Sequence, residues 1–122
     1  MTDPLSVARA GYDAYARKDR QKLESLLEAG YRFTSPIDNA LDRATYLKVC
    51  WPNSAELDDF TIIHEAAVGD RAFVVYEVTT RAGQRMRNSE LHTVHGGKLA
   101  ATEVYFGWNL PHDVPKGQHR NP

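Results

Sequence analysis

Glu90 and His92 stand two positions apart in Asn88-Ser89-Glu90-Leu91-His92, within a segment that reads as a β-strand. On an extended strand that spacing points both side chains to one face. A carboxylate beside an imidazole can hold, give or take a proton near neutral pH. Reading Gly69-Asp70, Ala82-Gly83 and Gly96-Gly97 as two-residue hairpin turns places Ala67 opposite Ala72, Arg81 opposite Gln84, and His95 opposite Lys98. That register predicts one face bearing Phe60, Ile62, His64, Phe73, Val75, Glu77, Asn88, Glu90, His92, Glu103 and Tyr105. It turns Ile63, Val74, Tyr76, Val78, Leu91, Val104, Phe106 and Trp108 the other way. Glu90 is then expected directly opposite Glu103, with His64 across the neighbouring strand. Opposed like charges share a proton or a cation, so at least one of the pair is expected to have a raised pKa. The chemistry this predicts is an acid and base pair, Glu90 and Glu103, with His92 as a shuttle. His64 orients, Tyr12 or Tyr15 supplies a phenolic donor, and Phe33, Trp51 and Phe60 serve as wall. Glu77, Asn88 and Tyr105 complete the expected binding surface.

Each of these residues has a plainer reading. On an open face the carboxylates form a solvated ladder cross-paired with Arg85 or Arg87. His64, His92, Glu90 and Glu103 are the residue types that ligate zinc or iron, yet no His-x-His or His-Glu-x-x-His motif brings them together locally, and no metal is expected. Cys50, between Val49 and Trp51, reads as a buried thiol. Asp38, two positions after Pro36, is a secondary candidate for a displaced base at the pocket mouth, although Asp-Asn after Pro is also ordinary turn chemistry. Arg81, Arg85 and Arg87 read as a solvated hairpin edge, and His95 as a surface residue.

The elements that must position these groups follow from punctuation and period. Asp3-Pro4 starts a helix in which Leu5, Ala8, Tyr12 and Tyr15 share a face, and which is expected to run to about Lys18. Asp19 caps a second helix with Leu23, Leu26 and Leu27 as its buried stripe, ending at Gly30. A short strand over Tyr31 to Ser35 stops at Pro36, and a loop follows. Asp42 caps a third helix carrying Tyr46, Leu47, Cys50 and Trp51, which Pro52 terminates. From Leu57 the period becomes two, predicting a four-stranded antiparallel meander. Helices first and strands afterwards predict an α+β fold with the helices on one face of the sheet.

The chain has 122 residues, enough for one domain with a core of its own. Fifteen basic against sixteen acidic side chains give a formal charge of -1, so no positive field exists to gather nucleic acid or an anionic membrane. A single cysteine, no long apolar run and no signal-like start predict a cytoplasmic protein. Residues 1–110 are expected to be the domain and 111–122 an extended or disordered tail.

Two helices, a strand ending in Ser35-Pro36, a third helix, and a meander closing on Gly97-Lys98-Leu99 and Val104-Tyr105-Phe106-Gly107-Trp108 resemble the nuclear transport factor 2-like superfamily, also called SnoaL-like or ketosteroid-isomerase-like. The resemblance covers about residues 4 to 110. It implies a strongly curved, mainly antiparallel sheet, cone-shaped, with three helices closing a central pocket. It also implies a homodimer through the outer sheet face, here expected around Tyr76, Phe106 and Trp108. The superfamily hosts isomerases, dehydratases, epoxide hydrolases and noncatalytic binders, so it implies a pocket without naming a reaction. Carried over residue by residue, the ketosteroid isomerase base falls on Ser35 and its helix tyrosine nearest Gly11. Its protonated acid falls on Glu90 if one residue is deleted from the following turn. A serine with no base partner does not abstract a proton from carbon, so steroid isomerisation is rejected. The expectation is a pocket for a small apolar or partly polar organic ligand, acting without a cofactor as a lyase, isomerase or hydrolase. Noncatalytic ligand binding and dimeric interaction are the alternatives.

Overall fold

The structure, a computed structural model, describes residues 3–114 and Gly117. Three helices pack on a six-stranded, curved, unclosed sheet. Helix α1 (Pro4–Ala16) opens on the Asp3 carboxylate, which accepts the Leu5 N–H, and stops where Lys18 takes a left-handed φ of 58°. Asp19 then caps α2 (Arg20–Leu26) by accepting from the Lys22 N–H. This helix ends before Gly30, because Leu27 is already extended and begins strand β1 (Leu27–Ser35). Pro36-Ile37 turns the chain into β2 (Asp38–Asp42), a second strand in place of the expected loop. Asp42 ends that strand and also caps α3 (Arg43–Val49), accepting from Thr45 N–H at 2.8 Å. Pro52 does not end this helix. It sits in the first turn of a following 3-10 helix (Trp51–Glu56), where its missing N–H is no loss.

Strands β3 (Leu57–Val68), β4 (Arg71–Thr80), β5 (Arg85–His95) and β6 (Lys98–Leu110) form the antiparallel meander, and β1 joins β6 in parallel, giving the order β2-β1-β6-β5-β4-β3. Helix α1 lies across the concave face of the meander, while α3 covers β1 and β2. Two apolar clusters result. Val7, Leu23, Tyr31, Tyr46 and Trp51 knit the helices to β1, while Ala8, Tyr12, Ala72, Val74 and Tyr76 seat α1 on the sheet.

Four features of the meander, three bulges and one turn, decide which way the site residues expected from sequence look. Ile63 is an extra residue in β3, since Ile62 pairs with Tyr76 and His64 with Val75. Beyond this bulge His64 faces the convex side, and Ala72, Val74, Tyr76 and Val78 face inward. The β4–β5 turn spans Arg81, Ala82 and Gly83, closed by Thr80 N–H donating to Gln84 O, so Thr79 pairs with Arg85. Arg81 therefore does not oppose Gln84. This second offset cancels the first, and Asn88, Glu90 and His92 return to the side of Phe60 and Ile62. A bulge at Ala100 then sets Glu90 opposite Val104 and Leu91 opposite Glu103. A fourth, at Gly107, sets Arg87 opposite Trp108. The expectation for the tail beyond Val114 falls, apart from Gly117, outside the described residues.

Candidate functional site

The concave face and the helices enclose a cavity of about 420 Å³. Its deep polar group is the Glu90 carboxylate, only 12% exposed, presented by β5. Tyr76, on the neighbouring strand β4 two residues along from Val74, the Glu90 pairing partner, donates from its hydroxyl to Glu90 Oε2 at 2.6 Å. Tyr12, from the buried stripe of α1, donates to Oε1 at 3.0 Å and also lies 2.8 Å from His92 Nε2. His92 Nε2 is itself 3.1 Å from Glu90 Oε1, and its Nδ1 meets Thr102 Oγ1 at 3.0 Å. Every polar atom in this network has a partner.

Burial works to raise the Glu90 carboxyl, but the hydrogen bond and charge of His92, joined by the Tyr76 and Tyr12 hydroxyls, outweigh it and hold the group below its ordinary value. The carboxylate is thus ionised at neutral pH, contrary to the raised pKa that a Glu90–Glu103 pair would have given. Tyr12 and Tyr76 move strongly upward, first through burial and then through the adjacent Glu90, so both phenols stay protonated and act as donors. Around this polar point the walls are aromatic. The Tyr12, Phe60 and Tyr76 rings contact one another at centroid distances of 5.1 to 5.6 Å. Tyr15 and Tyr46 share a hydrogen bond between their hydroxyls nearby.

Of the residues picked out from sequence, Glu90, His92, Asn88, Tyr12, Tyr15, Phe33 and Phe60 line the cavity. Trp51 does not. It is buried behind the wall, edge-on to Tyr15 at 5.0 Å. Glu103 and Tyr105 are exposed on the convex side, because the Ala100 bulge reverses their alternation, and the β3 bulge does the same to His64. Glu77 also faces outward, where it pairs with Arg85 and Arg87. The Arg87 hydrogen bond foremost, then Arg85, lowers its pKa. Tyr76 and Phe106, expected outside, line the cavity instead. Thr102 and Tyr31 are further buried cavity residues, and neither stands out in the sequence as a site residue. Their signal was faint, since an isolated Thr or Tyr in a β-rich segment reads as ordinary strand filler.

At the mouth, Ser35 Oγ donates to Asp38 Oδ2 at 2.7 Å, and the exposed Asn53 and Glu56 also line the cavity. The Cys50 thiol lines the wall and is pushed up to about 11, mainly by burial and then by the Asp38 charge, which keeps it a thiol. Among the described residues no set of three His, Cys, Asp or Glu side chains is grouped to hold a metal ion. Among them, too, no helix is long and apolar enough to cross a membrane.

Known proteins with this architecture were found among solved structures. A putative ketosteroid isomerase from Kribbella flavida is 21% identical, with 98% of this chain and 90% of that chain covered and a TM-score of 0.74. An LEH-like epoxide hydrolase of M. tuberculosis is 13% identical, with 85% and 82% covered and a TM-score of 0.73. A putative polyketide cyclase from Sinorhizobium meliloti is 16% identical, with 84% and 99% covered and a TM-score of 0.71. At these identities the likeness is one of fold. No curated protein matches the chain. The SnoaL-like domain model matches residues 8–102. With the match spanning most of the chain and the sheet order, helices and cavity as described, this protein belongs to the SnoaL-like family of the nuclear transport factor 2-like superfamily.

Proposed function

We propose that this protein is a cofactor-independent enzyme that moves a proton on a small, largely apolar organic molecule held in the cavity, with Glu90 as the base. The observation that carries this reading is the convergence of Tyr12, Tyr76 and His92 on one buried carboxylate inside an aromatic cavity. A cavity of about 420 Å³ is within the usual range for small-molecule sites. A carboxylate offers about four acceptor positions, and three neighbours approach Glu90, which leaves room for a substrate proton. In the proposed step the substrate C–H bond breaks, its proton goes to Glu90, and its electron pair moves onto the substrate's own carbonyl oxygen. As Glu90 becomes neutral its hold on the two phenols weakens, and a hydroxyl of Tyr12 or Tyr76 is freed to donate to the new oxyanion. Return of the proton to another carbon gives isomerisation, and expulsion of a neighbouring group gives elimination. His92, fixed by Thr102 on one side, holds the Glu90 carboxyl in position from the other.

The test is deuterium exchange at the activated C–H of 2-tetralone, a neutral bicyclic ketone, followed by proton NMR in heavy water. The wild-type protein should accelerate exchange over buffer, and Glu90→Gln should lose at least about a hundredfold of that acceleration. Equal acceleration by the variant would remove Glu90 from the reaction. A second reading, noncatalytic binding, is favoured by the three hydrogen bonds that already engage Glu90. It predicts that the ketone binds with no acceleration at all. We further propose that two copies pair through the convex sheet face, where Phe73, Tyr105 and Trp108 are 45%, 55% and 49% exposed.

A further inference from the structure

We infer that the pocket selects an amine: its ligand carries a protonated nitrogen at the mouth, beside Asp38 and Glu56, and buries a hydrocarbon body among the aromatic walls. This rests on the pocket reading above and adds a charge requirement to it. Among the described residues the carboxyl and imidazole groups lining the cavity are Asp38, Glu56, Glu90 and His92, with no lysine or arginine. His92 is engaged by Glu90. The two mouth carboxylates are therefore left without a cation, and neither enters an ion pair among the described residues. Ser35 donates to Asp38 Oδ2, which fixes that carboxylate and leaves its other oxygen for a ligand. The Asp38 charge reaches the wall, since it adds to burial in raising the Cys50 thiol.

The walls favour the same ligand. The packed rings of Tyr12, Phe60 and Tyr76 take the hydrocarbon body and leave the charged end of the ligand to the mouth. An anion entering this space would meet uncompensated acids and find no basic side chain to pair with. The mouth is where an ammonium costs least, because Glu56 is exposed and Asp38 half-buried, so water completes its solvation while the hydrocarbon is buried.

Three probes sharing one ring system separate the charge requirement from the pocket itself: 2-naphthylmethylamine, 2-naphthylmethanol and 2-naphthoate, titrated calorimetrically at neutral pH. The wild-type protein should bind the amine at least about tenfold more tightly than the alcohol, with the carboxylate weakest. In the double variant Asp38→Asn/Glu56→Gln, which leaves Glu90 and His92 untouched, amine and alcohol should converge to within about threefold while the alcohol keeps its wild-type affinity. Equal binding of amine and alcohol by wild type would overturn the charge requirement, as would tightest binding of naphthoate or a preference that survives the double variant. In each of those cases alcohol binding still supports the pocket. Failure of all three probes would remove the pocket reading as well.

Discussion

Glu90 is a buried carboxylate held ionised by its neighbours, and that has measurable consequences at the level of single groups. Its folded pKa lies below the reference value of 4.5. The stability contributed by the charged form is therefore fully present above 4.5 and is lost as pH falls below it through the folded value. Urea unfolding of wild type and Glu90→Gln from about pH 7 down to pH 3 should show wild type more stable at neutral pH and the gap shrinking in the acid range. A gap that widens on acidification would contradict this charge state. Tyr12→Phe deletes one donor to that carboxylate without opening a large void and should cost about 1–3 kcal/mol. The same change in midpoint for the exposed Tyr105→Phe would deny Tyr12 its role. Much of this site was legible as residue types. Glu90, His92 and Asn88 stand at alternate positions, and Tyr12 lies on the apolar stripe of α1. Tyr76 was hidden because its orientation depends on register, not on its neighbours in sequence.

Between residue and fold stand the bulges, the part of the sheet that periodicity conceals. An extra residue leaves no mark of its own in an alternating pattern, and each one reverses every side chain beyond it. Glu90 and His92 were placed correctly because the Ile63 bulge and the three-residue turn cancel. Glu103 was misplaced because nothing cancels the Ala100 bulge. At Gly107 the bulge does leave a mark. A Cβ there would stand 2.0 Å from the Arg87 carbonyl oxygen, and the Gly107 N–H is held by Asn88 Oδ1 at 3.0 Å. Gly107→Ala should accordingly destabilise by roughly 2 kcal/mol or more, read as a lower urea midpoint, whereas Gly30→Ala meets no atom within 4 Å and should stay within about 1 kcal/mol. Equal effects would mean that the close approach at Gly107 does not exist. Strand β2 escaped notice for another reason. It is five residues long and contains Ala40 at a φ of 49°, so Asp-Asn after Pro reads as a turn.

At the scale of the molecule, order and period were enough for the architecture: helical stripes first and alternation afterwards left an α+β roll as the economical solution. The convex face is the part still open to solvent. If it pairs two copies, sedimentation should give a dimer for wild type and a monomer for Phe73→Glu/Trp108→Glu, two positions remote from the cavity network. A wild-type monomer at about 100 µM would dismiss the interface. The proposed activity requires one buried, ionised carboxylate that a ligand can reach. Carbon NMR of the Glu90 side-chain carboxyl, titrated with and without 2-naphthylmethanol, reads both properties at once. The expected record is a midpoint below 4.5 and a signal that shifts when the alcohol enters. A midpoint at or above 4.5, or a carboxyl signal indifferent to a ligand that binds, would contradict the account.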